Sequence, residues 1–119
     1  MTASTITFSQ VLRCANLELR AGSLQLLADG RLVDLTPREF HLLLALAERR
    51  NRVVPRQELY ELVWRSRMAY RDRSVDVFVR RLRLKLRVAA PAWAYIHTHF
   101  GVGYRFAPER TPERTPERP

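Results

Sequence analysis

Cysteine is almost missing from this chain: Cys14 stands alone among 119 residues. An internal disulfide is excluded and a thiolate metal site has no second sulfur ligand, so packing must supply the stability. Long apolar runs are missing too. No stretch approaches the ~18 consecutive apolar residues of a membrane span, and the opening MTASTITFSQ lacks the basic-then-apolar order of a signal peptide. A soluble, cytoplasmic chain with no membrane partner is expected. Lysine is scarce, Lys85 being the only one, so basic charge rests almost wholly on arginine. No Ser/His/Asp arrangement, glycine-rich phosphate loop or pair of carboxylates on one helix face occurs, which leaves catalysis without candidate residues. The chain is read as a non-enzyme without a cofactor.

What is present is basic charge, and it is concentrated. Residues 65–87 hold nine basic and two acidic side chains, so +7 of the formal net charge of +9 lies there, whereas residues 1–35 and 109–119 are each balanced. A focused basic patch points to a polyanionic partner. The length and an apolar content of 46% suit one domain with one core.

Three short alternating runs, Leu17 to Arg20, Ser23 to Ala28 and Arg31 to Leu35, are separated by Ala21-Gly22 and Asp29-Gly30 turn signals. They predict a small antiparallel sheet, to which Val11 to Cys14 adds an edge strand. Thr36-Pro37-Arg38-Glu39 supplies a capping hydroxyl, a proline at the first helical position and a returning carboxylate. A first helix over 37–50 follows, with Phe40, Leu43, Leu44 and Ala47 as its apolar stripe. Residues 52–54 are too short for anything but a connector. Pro55 opens a second helix that buries Leu59, Leu62 and Val63 and closes at Trp64. An ordered loop spans 65–72, and Asp72 or Ser74 caps a third helix over 73–88. Its residues Val75, Val79, Leu82 and Leu86 lie in one narrow arc with Phe78 beside them, while Arg73, Arg80, Arg83 and Arg87 lie opposite and Arg81 on the flank. Trp93 to Phe100, a glycine turn and Tyr104 to Phe106 predict a β-hairpin. The domain is therefore expected over 11–107, between a disordered linker at 1–10 and a disordered Pro/Glu/Arg/Thr tail at 108–119.

Three helices, the last of them basic, followed by a glycine-tipped hairpin form the layout of a winged helix-turn-helix of α+β class. An α-helix fits the major groove of B-DNA, where a guanidinium bonds guanine while its neighbours hold phosphates. An arginine-rich helix face by itself can equally be a solvated surface. The hairpin and the concentration of charge favour double-stranded DNA as the partner. Non-specific packaging of nucleic acid would suit the charge but not a single patch, and competition with random duplex distinguishes it. His97 and His99 share one strand face with only the distant His41 as a third ligand, so they are read as structural and no metal is expected.

The segments Leu35 to Phe40, Val53-Val54 through Val63-Trp64, Asp72 to Val77 through Arg80-Arg81-Leu82-Arg83, and Gly101 to Phe106 occur in order with an eight-residue loop between Trp64 and Arg73. Together they closely resemble the C-terminal effector domain of OmpR/PhoB-type response regulators, over about residues 11 to 107. The resemblance implies an N-terminal antiparallel sheet, a three-helix core, the third helix in the major groove and the hairpin as a wing at the minor groove. By position Arg81 is similar to the family's base-reading arginine, with Val77 against a thymine methyl. Trp64, Arg73, Ser74, Arg80, Arg83, Thr98 and Tyr104 are similar to its phosphate-contacting set. Trp64 and Tyr104 are alternatively core aromatics with a satisfied polar tip, and Arg83 a member of an ion pair. Arg65, Arg67, Met68 and Tyr70 stand in the loop that would contact RNA polymerase holoenzyme. The implied role is the output domain of a two-component phosphorelay, binding promoter direct repeats as a head-to-tail dimer. With no long apolar heptad and no evident exposed apolar patch in the sequence, the isolated domain is expected to be a monomer in solution. The alternatives are a stand-alone winged-helix regulator without a receiver, and a module acting chiefly through the polymerase.

The chain departs from the family pattern at three places. Phe78 replaces a common polar residue. Phe100, beside Gly101 and Gly103, replaces the wing arginine and is read as packing the hairpin onto the core, the alternative being a ring against the sugars. Pro55 replaces a capping serine and removes a side-chain cap from the second helix, at a cost of roughly 1 kcal/mol.

Overall fold

A computed structural model describes residues 10–111. Strands β1 (Val11–Cys14), β2 (Leu17–Arg20), β3 (Gln25–Ala28) and β4 (Arg31–Val33) form an antiparallel meander in that order. The register aligns Leu12 with Leu19, Leu19 with Leu26 and Leu26 with Val33, so one row of branched aliphatic side chains crosses the sheet. Leu19 and Leu26 at its centre are fully buried. A one-residue slip would send that row into water, which is what fixes the pairing. Asp29 and Gly30 both have positive φ at the β3–β4 turn, the backbone that an Asp-Gly pair favours.

Helix α1 (Pro37–Glu48) starts on the capping box the sequence predicts. The Glu39 N–H donates to Thr36 Oγ1 at 3.2 Å, and the Thr36 N–H donates to Glu39 Oε1 at 2.9 Å. Glu39 is itself buried, and its charge is met by the Nζ of Lys85 at 2.7 Å. Lys85 also donates to the Asp34 carbonyl at 2.9 Å. The only lysine thus joins the third helix to the start of the first. Phe40, Leu42, Leu43 and Leu46 are solvent-free beneath it.

The connector expected at 52–54 is in fact strand β5 (Val53–Pro55), which pairs with the last strand of the chain. A three-residue segment carries no periodicity of its own, and its partner is remote in sequence. Helix α2 (Arg56–Trp64) follows, with Pro55 as an N-cap that makes no side-chain hydrogen bond. Leu59 and Val63 are buried, but Leu62 is 39% exposed, so the expected three-residue apolar face is narrower by one. Helix α3 (Ser74–Ala89) buries Val75, Val79, Leu82 and Leu86 as predicted. Asp72 Oδ1 accepts from the Ser74 N–H at 2.7 Å, which makes Asp72 rather than Ser74 the side chain that caps this end.

Strands β6 (Trp93–His99) and β7 (Gly103–Arg110) form the hairpin, and the second sheet has the order β5-β7-β6. The ladder continues past residue 107: Ala94 pairs with Glu109, and Trp93 with Arg110, whose guanidinium lies 5.3 Å over the Trp93 ring. Residues 108–110 are therefore strand rather than tail, because β6 offers them partners that their composition does not reveal. The expected disorder of 1–9 and 112–119 lies outside the described residues. Tyr95, displaced by an irregularity in the ladder, hydrogen-bonds Asn16 Oδ1 in the β1–β2 turn and so ties the two sheets together. Burial pushes its hydroxyl pKa up to about 12. Among the described residues no helix is long and apolar enough to cross a membrane.

The two wing glycines differ in kind. A Cβ on Gly103 would lie 2.0 Å from the Val54 carbonyl oxygen, whereas Gly101, at φ +79°, has open space around it. Gly103→Ala must push β5 off β7, at a cost of about 1–3 kcal/mol. Gly101→Ala carries only the backbone penalty of about 1–2 kcal/mol. Urea unfolding with residue-resolved hydrogen exchange separates them: exchange at Val53 and Val54 should accelerate in Gly103→Ala and stay unchanged in Gly101→Ala.

Candidate nucleic-acid interface

The solvent side of α3 is divided along its length. Arg73, Arg80 and Arg87 are exposed, and Arg80, Arg83 and Arg87 line a groove whose other wall is Tyr104 of β7. Val77, Leu84 and Val88 form an apolar strip beside them, exposed by 43%, 52% and 84%. Arg81 is exposed on the flank, its guanidinium 5.0 Å over the half-buried Phe78 ring. That stacking limits the directions in which a long side chain can point before it meets a ligand.

The arginines of the expected contact set are not equivalent. Arg83 donates from Nε to the Ile96 carbonyl at 3.2 Å and from Nη2 to Thr98 Oγ1 at 2.5 Å, so it and Thr98 are engaged with each other. Burial lowers the Arg83 pKa from its ordinary value. Trp64 is half-buried in a stack: Tyr60 lies parallel at 4.8 Å, Phe78 edge-on at 5.4 Å, and the Arg38 guanidinium sits 4.8 Å over the ring. Tyr104 is buried, its hydroxyl donating to Asp76 Oδ1. Of the two readings open for Tyr104, the geometry matches the core aromatic with a satisfied polar tip.

Asp76 was not among the residues singled out from the sequence, and neither was Arg56. The Arg56 Nε donates to Asp76 Oδ1 at 2.7 Å, Tyr104 donates to the same oxygen, and Arg73 Nη1 lies 3.7 Å from Oδ2. One carboxylate therefore holds α2, α3 and β7 together. Burial raises its pKa, but the hydrogen bonds from Tyr104 and Arg56 and the charges of Arg56 and Arg73 outweigh this and hold the pKa below its ordinary 3.8. The signal in the sequence was an acid on the arginine side of an otherwise basic helix.

Phe100 overturns an expectation. It does not pack on the core: the ring is 90% exposed at the hairpin tip, and Val102 beside it is 51% exposed. The tip is a tight turn closed by the Val102 N–H on the His99 carbonyl at 2.9 Å, which lifts residue 100 away from the body of the domain. His97 and His99 engage protein partners, as His97 Nε2 donates to the Ala107 carbonyl at 2.7 Å and Arg105 Nε donates to His99 Nε2 at 3.0 Å. In the 65–72 loop Arg65, Arg67 and Tyr70 are exposed and Met68 is half-buried.

The family model described as "Transcriptional regulatory protein, C terminal" matches residues 30–106. The chain belongs to this family of regulator domains. It is 41% identical over 97 residues to the transcriptional regulatory protein SrrA of Staphylococcus aureus, which covers 81% of this chain and 40% of that protein. The chain thus spans about 40% of the length of the curated relatives it matches. Among solved structures, the DNA-binding domain of CpxR from E. coli aligns with a TM-score of 0.74 at 32% identity, covering 82% of this chain and 96% of that one. The Klebsiella pneumoniae RstA DNA-binding domain, solved in complex with the RstA box, gives 0.74 at 30% identity over 82% and 97%. The Thermotoga maritima response regulator DrrB, an OmpR/PhoB homolog, gives 0.68 at 31% identity over 81% and 43%. The regulator domain has the winged-helix fold of these OmpR/PhoB-type proteins, and its family is one of transcriptional regulators, not enzymes.

In the regulator domain, Asp76→Asn keeps the shape of the carboxylate and removes its charge. A depressed folded pKa means that the stabilisation is fully present above the unfolded value of 3.8 and is lost as pH falls through the lower folded value. Asp76→Asn should therefore cost about 1–3 kcal/mol at pH 7. The gap from the parent domain should narrow below pH 3.8. Urea unfolding at several pH values checks this, and a gap independent of pH would argue against a charged hub.

Proposed function

We propose that the regulator domain binds specific duplex DNA, with α3 in the major groove and the wing at the adjacent minor groove, and so regulates transcription from the cytoplasm. The observation that carries this reading is the exposed row of Arg73, Arg80 and Arg87 on a helix whose opposite face is the core, continuous with the groove beside Tyr104. Arg81 is assigned to a base edge and Val77 to a thymine methyl. Arg73, Arg80, Ser74 and Trp64 are assigned to phosphates. Arg83, Thr98 and Tyr104 reach the backbone only if they leave their partners, so their assigned part is to hold the wing in register. The likeness to the RstA domain, solved on its box, supports DNA as the partner.

The purified chain, offered a pool of randomised duplexes, should enrich one site. On that site Arg81→Ala should lose about 1–3 kcal/mol and much less on random duplex, as expected for base readout. Arg73→Ala and Arg80→Ala should weaken both duplexes alike, each reducing the salt slope by roughly one. Equal losses for Arg81→Ala on both duplexes would sink the base-reading assignment.

A second contact is favoured by Tyr70, 87% exposed in the 65–72 loop with the Arg71 guanidinium 5.3 Å over its ring. An aromatic held out by a cation suits RNA polymerase as the partner of Arg65, Arg67, Met68 and Tyr70. The relatives' greater length supports a receiver elsewhere in a two-component protein, with a stand-alone regulator as the alternative. On DNA the domain is proposed to bind direct repeats head to tail, half-sites about one helical turn apart. The expectation of a monomer off DNA rested on the lack of an exposed apolar patch. Leu32, Leu84 and Val88 form one between β4 and α3. Sedimentation without DNA should still give a monomer, since this strip is small beside the ~1,200 Å² that stable interfaces bury. A symmetric dimer would refute it.

A further inference from the structure

We infer that the Phe100 ring is a minor-groove wedge that makes the wing select easily unstacked pyrimidine–purine steps instead of narrow A-tracts. This rests on the proposed DNA binding and adds a specificity-determining residue to it. Phe100 is 90% exposed, and among the described residues no aromatic ring or guanidinium stacks on it. A phenyl ring held in water contributes nothing to folding and is stabilised only when a partner covers it.

The place of the ring identifies the partner. Both strands below the tip are fixed to α3, β6 through Thr98 and Arg83 and β7 through Tyr104 and Asp76. Thr98 and Tyr104 are paired across the hairpin, and only residues 99 to 103 lie beyond them. At ~3.3 Å per residue the tip stands about 7 Å past that anchor, comparable to the ~7.5 Å depth of the minor groove. A helix docked in the major groove by the arginine row therefore carries the ring to the neighbouring minor groove at a fixed reach.

The chemistry of the tip decides what it reads there. Residues 100–103 carry no charge, and the arginine nearest them in sequence, Arg105, reaches across the ladder and is engaged by His99. A narrow A-tract groove attracts cations through its enhanced negative potential, and this tip has none to offer. An apolar ring instead gains by inserting against sugars and between base pairs, which is least costly at TA and CA/TG steps. Val102, 51% exposed next to the φ +79° turn at Gly101, adds a second apolar side chain to the same uncharged tip.

The test uses the whole chain and the best duplex from the randomised selection. The duplex is remade with a TA step, an A-tract or a GC step at the wing side. The parent chain should prefer the TA form by several-fold, and a 2-aminopurine placed at the step should brighten on binding as it unstacks. Phe100→Ala should lose about tenfold on the TA form, lose the step preference and the fluorescence change, and keep its salt slope and melting temperature. Phe100→Leu should retain part of the preference. Phe100→Arg should move the preference to the A-tract and steepen the salt slope by about one. If Phe100→Ala binds all three duplexes as the parent does while Arg81→Ala does not, DNA binding stands and the wedge is overturned. A parent chain that enriches no duplex would overturn the proposed function and the wedge together.

Discussion

The interaction on which the arrangement depends is the meeting of Arg56, Tyr104 and Asp76. A β-hairpin by itself is marginal in water, and a helix packed only by its apolar stripe retains some freedom to slide along a core. Asp76 removes that freedom by accepting from two elements that flank α3, one before it in sequence and one after. The carboxylate also sits where local charge would otherwise be wholly positive, with Arg56 and Arg73 both near it. Without it those cations would repel each other across a partly desolvated space, and Tyr104 would be a buried hydroxyl in need of another partner.

The arginines sort into those with partners and those without. Arg20, Arg52 and Arg56 are paired with carboxylates, and Arg83 is bonded to the wing. Arg73 is only loosely paired and largely exposed, and Arg80, Arg81 and Arg87 are exposed on the same helix. Net charge therefore overstates the number of cations that can meet an anion and understates how closely the available ones are grouped. A residue such as Arg83, which serves geometry, becomes a means of aligning the others. The wing and the helix are thereby held as one surface, which lowers the ordering cost of binding a partner.

Local periodicity carried most of the fold. The capping box at Thr36 and Glu39, the four-residue stripe of α3 and the glycine-tipped hairpin are all set by neighbours within one or two turns of chain, and the structure has each. Strand β5 was invisible because its partner is β7, and a three-residue segment has no pattern until that partner is present. Residues 108–110 were misread for the same reason, since their composition is that of a tail and their order comes from β6. Within the site, α3 was legible as a face but not as a division of labour. Nothing local distinguishes Arg83, tied to Thr98, from Arg80, which has no hydrogen-bond or ion-pair partner among the described residues. Phe100, expected on the core, is exposed instead because it stands in a tight turn beside a positive-φ glycine at the far end of the hairpin.

A domain with +7 of its +9 in twenty-three consecutive residues must fold against its own repulsion. Two features limit this. Asp72 and Asp76 lie at the start of α3, where carboxylates also meet the positive end of the helix dipole. The single lysine at the other end is neutralised by the buried Glu39, whose pKa is lowered overall: burial raises it, and bonding to Lys85 and Thr36 more than compensates. What is left unneutralised is the exposed side of the helix, at Arg80, Arg81 and Arg87. Salt screens that remaining repulsion and so favours the folded free domain, yet the same screening weakens attachment to a polyanion. The opposite signs follow from one cause: the charges that burden the fold are the ones left without partners in it.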